Sequence, residues 1–86
     1  MNYKIVVTKH AAKDISKLFM PVQKRVKKKL QQILTQPDPL VNSKTLTNSR
    51  YGDYRWRIGD YRVVFDVDGD VIVILQVQHR KDVYRP

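Results

Sequence analysis

The stretch from Tyr54 to Val77 leaves this chain the fewest choices. In Tyr54-Arg55-Trp56-Arg57-Ile58 apolar residues alternate with arginine, and after Gly59-Asp60 the alternation resumes through Tyr61, Val63, Phe65 and Val67. A period of two marks a strand with one buried face. Two such runs separated by Gly-Asp specify a tight hairpin, because glycine supplies the positive φ that such a turn requires. Asp68-Gly69-Asp70 is a second turn, and Val71 to Val77 is a near-continuous apolar run, the pattern of a central strand covered on both faces.

The first half must cover that meander. Tyr3 to Thr8 is β-branched and aromatic and reads as a strand, with Thr8 placed to cap a helix. Ala11, Ala12, Ile15, Leu18 and Phe19 recur at helical spacing over Lys9 to Phe19. Pro21 suits the first turn of a second helix carrying Val22, Val26, Leu30, Ile33 and Leu34, which runs to about Gln36 before Pro37 and Pro39 stop it. A short edge strand is expected near Ser43–Leu46. The order β-α-α-β(3-4) predicts an α+β fold, two helices packed on one face of an antiparallel sheet, in a single domain over residues 1–86.

Composition narrows the function. Lys and Arg number 17 against 8 Asp and Glu, a formal charge of +9 in 86 residues, which makes a polyanion the partner class to expect. Cysteine is absent, which removes disulfides, thiolate catalysis and Cys-based zinc sites. No apolar run approaches the roughly 20 residues a bilayer needs, and no signal-peptide core follows Met1-Asn2-Tyr3-Lys4, so a cytoplasmic protein without membrane contact is expected. No metal-binding spacing and no glycine-rich phosphate loop occurs, so no metal or cofactor is expected.

Hairpin geometry sharpens the charge argument. With Gly59 and Asp60 as the loop, Ile58 pairs with Tyr61, Arg57 lies opposite Arg62, and Arg55 lies opposite Val64 on the same face. Like charges opposed across a ladder are destabilising. Either the groups splay into water or an anion binds between them, and guanidinium is well matched to phosphate. The following hairpin places residues near 76 beside Arg62. It brings His79 and Arg80 level with the Gly59-Asp60 turn, and Tyr84 within reach of the same cluster. Lys24, Arg25, Lys27, Lys28 and Lys29 on the second helix are either a solubilising face or a second footprint on nucleic acid. His10 reads as a surface residue, and Tyr54 and Trp56 as core.

These residues resemble a known family. The run Tyr54-Arg55-Trp56-Arg57-Ile58-Gly59-Asp60-Tyr61-Arg62-Val63-Val64-Phe65, then Val77-Gln78-His79-Arg80-Lys81-Asp82-Val83-Tyr84, is similar to the RelE/ParE superfamily of toxins from prokaryotic toxin–antitoxin pairs. Tyr3-Lys4-Ile5, Ala12-Lys13-Asp14-Ile15 and Val26-Lys27-Lys28-Lys29-Leu30 agree with it, so the resemblance spans essentially the whole chain. It implies a sheet whose last strand lies beside its first. For the RelE branch it implies a metal-independent endoribonuclease that cuts mRNA in the ribosomal A site by attack of a 2′-hydroxyl, inhibiting translation. Its partners would be the ribosome, mRNA and a cognate acidic antitoxin, the toxin alone being a monomer.

By position, the resemblance makes Arg62 and Arg80 the charge stabilisers, His79 the titrating candidate and Tyr84 the terminal aromatic. Arg55 and Arg57, by position, and Lys27 and Lys28, by the charge of the second helix, would bind RNA. Two departures matter: no C-terminal helix of the kind some RelE members carry is expected after Tyr84, and both basic residues on the strand before the hairpin are arginine, a poor proton donor. The alternative implied by the same superfamily is a ParE-like poison of DNA gyrase, without a nuclease site.

Overall fold

The computed structural model describes residues 3–41, 43–46 and 52–79. β1 (Lys4–Val7) is followed at once by α1 (Lys9–Ser16), and Thr8 makes the junction. Its Oγ1 accepts the Ala11 N–H at 3.2 Å, capping the helix, and donates to the Ile74 carbonyl at 2.9 Å, tying the cap to the sheet. α1 ends three residues earlier than its apolar spacing predicts. The N–H groups of Lys17 and Leu18 bond back to the carbonyls of Asp14 and Ile15, and the Gln23 amide donates to the Leu18 carbonyl at 2.8 Å, so the terminal turn is closed from α2.

α2 (Met20–Leu34) starts with Pro21 in its first turn and turns Val26, Leu30 and Ile33 inward. It is followed by β2 (Lys44–Thr45), β3 (Tyr54–Ile58), β4 (Tyr61–Asp68) and β5 (Val71–His79). The spatial order is β1-β5-β4-β3-β2. The last strand lies beside the first, as the resemblance implies, but that pair is parallel, so the sheet is mixed rather than wholly antiparallel. The reason is direction: β2 enters antiparallel to β1, and three hairpin reversals then bring β5 back pointing the same way as β1. No helix among the described residues is long and apolar enough to cross a membrane.

Both helices cover one face. Ala11, Ile15, Val26, Leu30 and Ile33 pack on Trp56, Ile58, Val63, Phe65, Ile72, Ile74 and Val77. Trp56 stacks on Phe65 with ring centroids 3.9 Å apart. Its Nε1–H donates to the Pro39 carbonyl at 3.2 Å, which satisfies the buried indole and draws the segment after α2 over the core.

Two irregularities of β5 shape the opposite face. The turn after β4 has two loop residues, Gly69 at φ 60° and Asp70, so Asp68 pairs with Val71. The ladder then slips between Val64 and Phe65, whose partners are Gln76 and Ile74; Leu75 is the extra residue of a bulge. Together these put Gln78, not Gln76, beside Arg62. The bulge also reverses the alternation: Ile72 and Ile74 face the helices before it, Val77 and His79 after it.

β5 runs on past β1, whose last rung is Val7 with Ile74. Beyond it the Val77 N–H is received by the Asp14 carboxylate of α1 at 3.1 Å. Replacing Asp14 by alanine orphans that N–H and should cost about 1–3 kcal/mol. Thermal denaturation is expected to show a midpoint lower by roughly 4–8 °C per kcal/mol, whereas Asp14→Asn, which keeps an acceptor, retains most of the stability.

Candidate active site

The helix-free face carries the cations. Arg57 and Arg62 are direct partners, as are Arg55 and Val64, and β4 continues each rung into β5: Arg62 with Gln78, Val64 with Gln76. Lys44 of β2 pairs with Arg55, adding a fourth cation to the face. Arg57 is exposed, while Arg55 and Arg62 are half-buried. Paired strands lie about 4.8 Å apart, so the Arg57–Arg62 rung presents two guanidinium stems at a spacing that one phosphate group can bridge.

One end of this face is closed. Val64 is 1% exposed although it points away from the helices, because the chain at Gly52 passes directly over it. A Cβ on Gly52 would lie 2.6 Å from Val64 Cγ1 and 3.0 Å from Leu75 Cδ1, so only glycine allows that approach. The passage is held by the Asp53 N–H, which donates to Asp66 Oδ1 at 2.7 Å, and by the Leu46 N–H, which donates to the Asp53 carbonyl at 2.8 Å.

The structure unites Arg55, Arg57 and Arg62 in the register read from the sequence. It separates His79 from them. His79 pairs with Tyr61 and meets its ring edge-on, centroids 5.0 Å apart, on the face that holds the helices. The residue is level with the Gly59-Asp60 turn as expected, but strand alternation from Gln78 sends its side chain to the other side. Arg80 and Tyr84 lie outside the described residues. Lys27 and Lys28 are exposed on α2, across the sheet from the arginines, and Lys27 borders an apolar groove with Val7, Ala12, Ile15 and Leu30. They form a separate basic surface. His10 is exposed and stands 3.5 Å from Asp14. Sequence reasoning missed Lys44, Gln76, Gln78 and Gly52. The missed signal was the pair of amides closing an otherwise apolar strand.

With this geometry in hand the chain can be set against known proteins. Residues 5–84 match the family model of the ParE toxin of type II toxin–antitoxin systems, parDE. The chain belongs to this toxin family. The toxin is 32% identical over 87 aligned residues to toxin RelG of Mycobacterium tuberculosis, covering 99% of both chains. It is 29% identical over 85 residues to toxin RelE3 of Methanocaldococcus jannaschii, covering 94% of both. Its fold superposes on the RelBE2 toxin–antitoxin complex of M. tuberculosis with a TM-score of 0.79 at 28% identity, covering 93% of this chain and 100% of that one.

A face of like charges costs stability in the free toxin. Arg57→Gln removes the exposed half of the Arg57–Arg62 pair and is expected to stabilise the fold by about 0.2–1 kcal/mol. Thermal midpoints at low and high salt check this, because the gain should shrink as salt screens the repulsion. If single-stranded RNA binds this face with Lys44, Arg55, Arg57 and Arg62 each neutralising one phosphate, the log–log salt slope should be about −3, and Arg57→Gln should flatten it by about 0.7.

Proposed function

We propose that this toxin is an endoribonuclease that cuts mRNA in the ribosomal A site, and that its activity is held in check by a cognate acidic antitoxin. The observation that carries the reading is the Arg57–Arg62 rung with Arg55 beside it: three guanidiniums on one open face of a sheet whose other face is committed to the core. An assembly that only had to be soluble would not need like charges directly opposed. The relatives named RelE3 and RelG, and the RelBE2 complex that shares the fold, support the same reading. An acidic antitoxin complements the +9 charge of this chain.

The 2′-oxygen attacks the adjacent phosphorus while the bond from phosphorus to the 5′-oxygen breaks, leaving a 2′,3′-cyclic phosphate and a 5′-hydroxyl. Negative charge builds on the non-bridging oxygens in the transition state. Arg57 and Arg62 receive it from two sides of the rung, and Arg62, half-buried, does so in surroundings where charge–charge attraction is stronger. Arg55 continues the track along the backbone of the RNA. His79 is not on this face, so the proton leaving the 2′-hydroxyl and the proton reaching the departing 5′-oxygen are carried by other groups; by the family resemblance Arg80 and Tyr84 complete the site. Alignment on the ribosome lowers the demand on in-house acid–base groups, because a held nucleophile needs less activation.

Arg62→Ala should reduce mRNA cleavage by roughly 10²–10³-fold while leaving the protein folded and bound to its antitoxin. Primer extension on mRNA after induction reads the cuts at codon spacing. Intact mRNA accompanied by a DNA-damage response would instead assign the toxin to the gyrase-directed branch of the superfamily. The name of the matching family model keeps that branch in view, and the density of arginines on the open face weighs against it.

A further inference from the structure

The bulge at Leu75 has a consequence for the site. Ile72 and Ile74 point to the helices, and unbroken alternation would send Gln76 and Gln78 the same way, into the core. With Leu75 as the extra residue the parity reverses, Val77 takes the core position, and both glutamines face the arginines. They are the only polar residues in the run from Val71 to Gln78. A bulge that merely kept amides out of the core would leave them separately hydrated. Here Gln78 Nε2 donates to Gln76 Oε1 at 2.6 Å, so each side chain fixes the other. Among the described residues the side-chain atoms Gln78 Oε1 and Gln76 Nε2 make no further hydrogen bond. The pair therefore presents one acceptor and one donor, held in place on the sheet surface.

Position gives this pair a task. Gln78 is the rung partner of Arg62, one strand spacing of about 4.8 Å away, so a nucleotide whose phosphate rests on the Arg57–Arg62 rung reaches the glutamines with its base. Along β4, Gly52 over Val64 closes the surface one rung on, so Gln76, the partner of Val64, stands at the edge of the open surface. Phosphate contacts position a strand without reading it, whereas an amide donor–acceptor pair distinguishes base edges and complements those that set an acceptor beside a donor, as adenine and cytosine do. We infer that the Gln76–Gln78 pair reads a base next to the scissile phosphate and so sets which codons are cut; this rests on the endoribonuclease reading above.

The test compares the wild type with Gln76→Leu, Gln78→Leu and Gln78→Glu in a purified translation system. The mRNAs differ only in the A-site codon, cuts are scored by primer extension, and thermal midpoints are recorded alongside. The leucine variants should still cut, while the ratio between the best and worst cut codons falls by about tenfold or more. Gln78→Glu keeps the side-chain shape and should move the preference towards bases that present donors. An unchanged codon profile in all three variants, with cleavage intact, overturns the inference and leaves the endoribonuclease standing. Loss of cutting on every codon at unchanged thermal midpoint also overturns it, since the pair would then serve binding in general. If the wild type cuts none of these mRNAs, both readings fall together.

Discussion

The register of one hairpin governs this molecule. Gly59, at φ 58°, allows a two-residue turn, and that turn fixes Ile58 against Tyr61 and every rung behind it. The same register does two jobs on opposite faces. On one it lays Trp56 against Phe65, the stacked pair around which both helices pack. On the other it sets Arg57 against Arg62. A slip of one residue would exchange the faces, burying guanidiniums and exposing tryptophan, so the core enforces the geometry of the charged surface at no separate cost. The repulsion between the arginines is small beside the burial of Trp56 and Phe65, which is why a destabilising pair can persist in a small domain.

Where the hairpin supplies charge, β5 supplies orientation. A regular strand after Ile74 would have aimed two amides at the helices, and burying an unpaired primary amide is costly. The bulge resolves this by one inserted residue, and Asp14 of α1 receives the Val77 N–H where β1 no longer flanks the strand. Irregular backbone, a helix carboxylate and a close-packed glycine at position 52 thus all gather around the stretch of β5 that borders the arginines. Strand edges and bulges concentrate where side chains must be re-aimed.

Much of this was legible in the residues themselves. Alternation and the Gly-Asp turn specify β3, β4 and the Arg57–Arg62 rung, because hairpin register follows from loop length alone. Thr8 as a cap and Pro21 in the first turn of α2 were equally readable, since both act through local backbone chemistry. What could not be read depends on contacts distant in sequence. The parallel pairing of β1 with β5 is a property of the whole path. The bulge at Leu75 shows in Val-Ile-Val-Ile-Leu-Gln-Val-Gln only as two amides that regular alternation would bury. His79 stands at the height above the turn that the sequence predicts, and alternation after the bulge turns its side chain to the helix face.

The displacement of His79 bears on how such a toxin works. A nuclease acting on free RNA does well to carry a titrating base and acid at the reacting atoms. The open face described here offers permanent cations and amides, groups that bind, polarise and discriminate but do not exchange protons at neutral pH. Such a surface is better suited to stabilising a transition state that something else has aligned than to creating one unaided. Under the endoribonuclease reading proposed above, such a face leaves alignment and proton transfer to groups beyond it, and a substrate held by the ribosome would come already aligned. On the described face the arginine rung supplies grip, while the imidazole of His79, against Tyr61 on the other face, supplies none of the chemistry there.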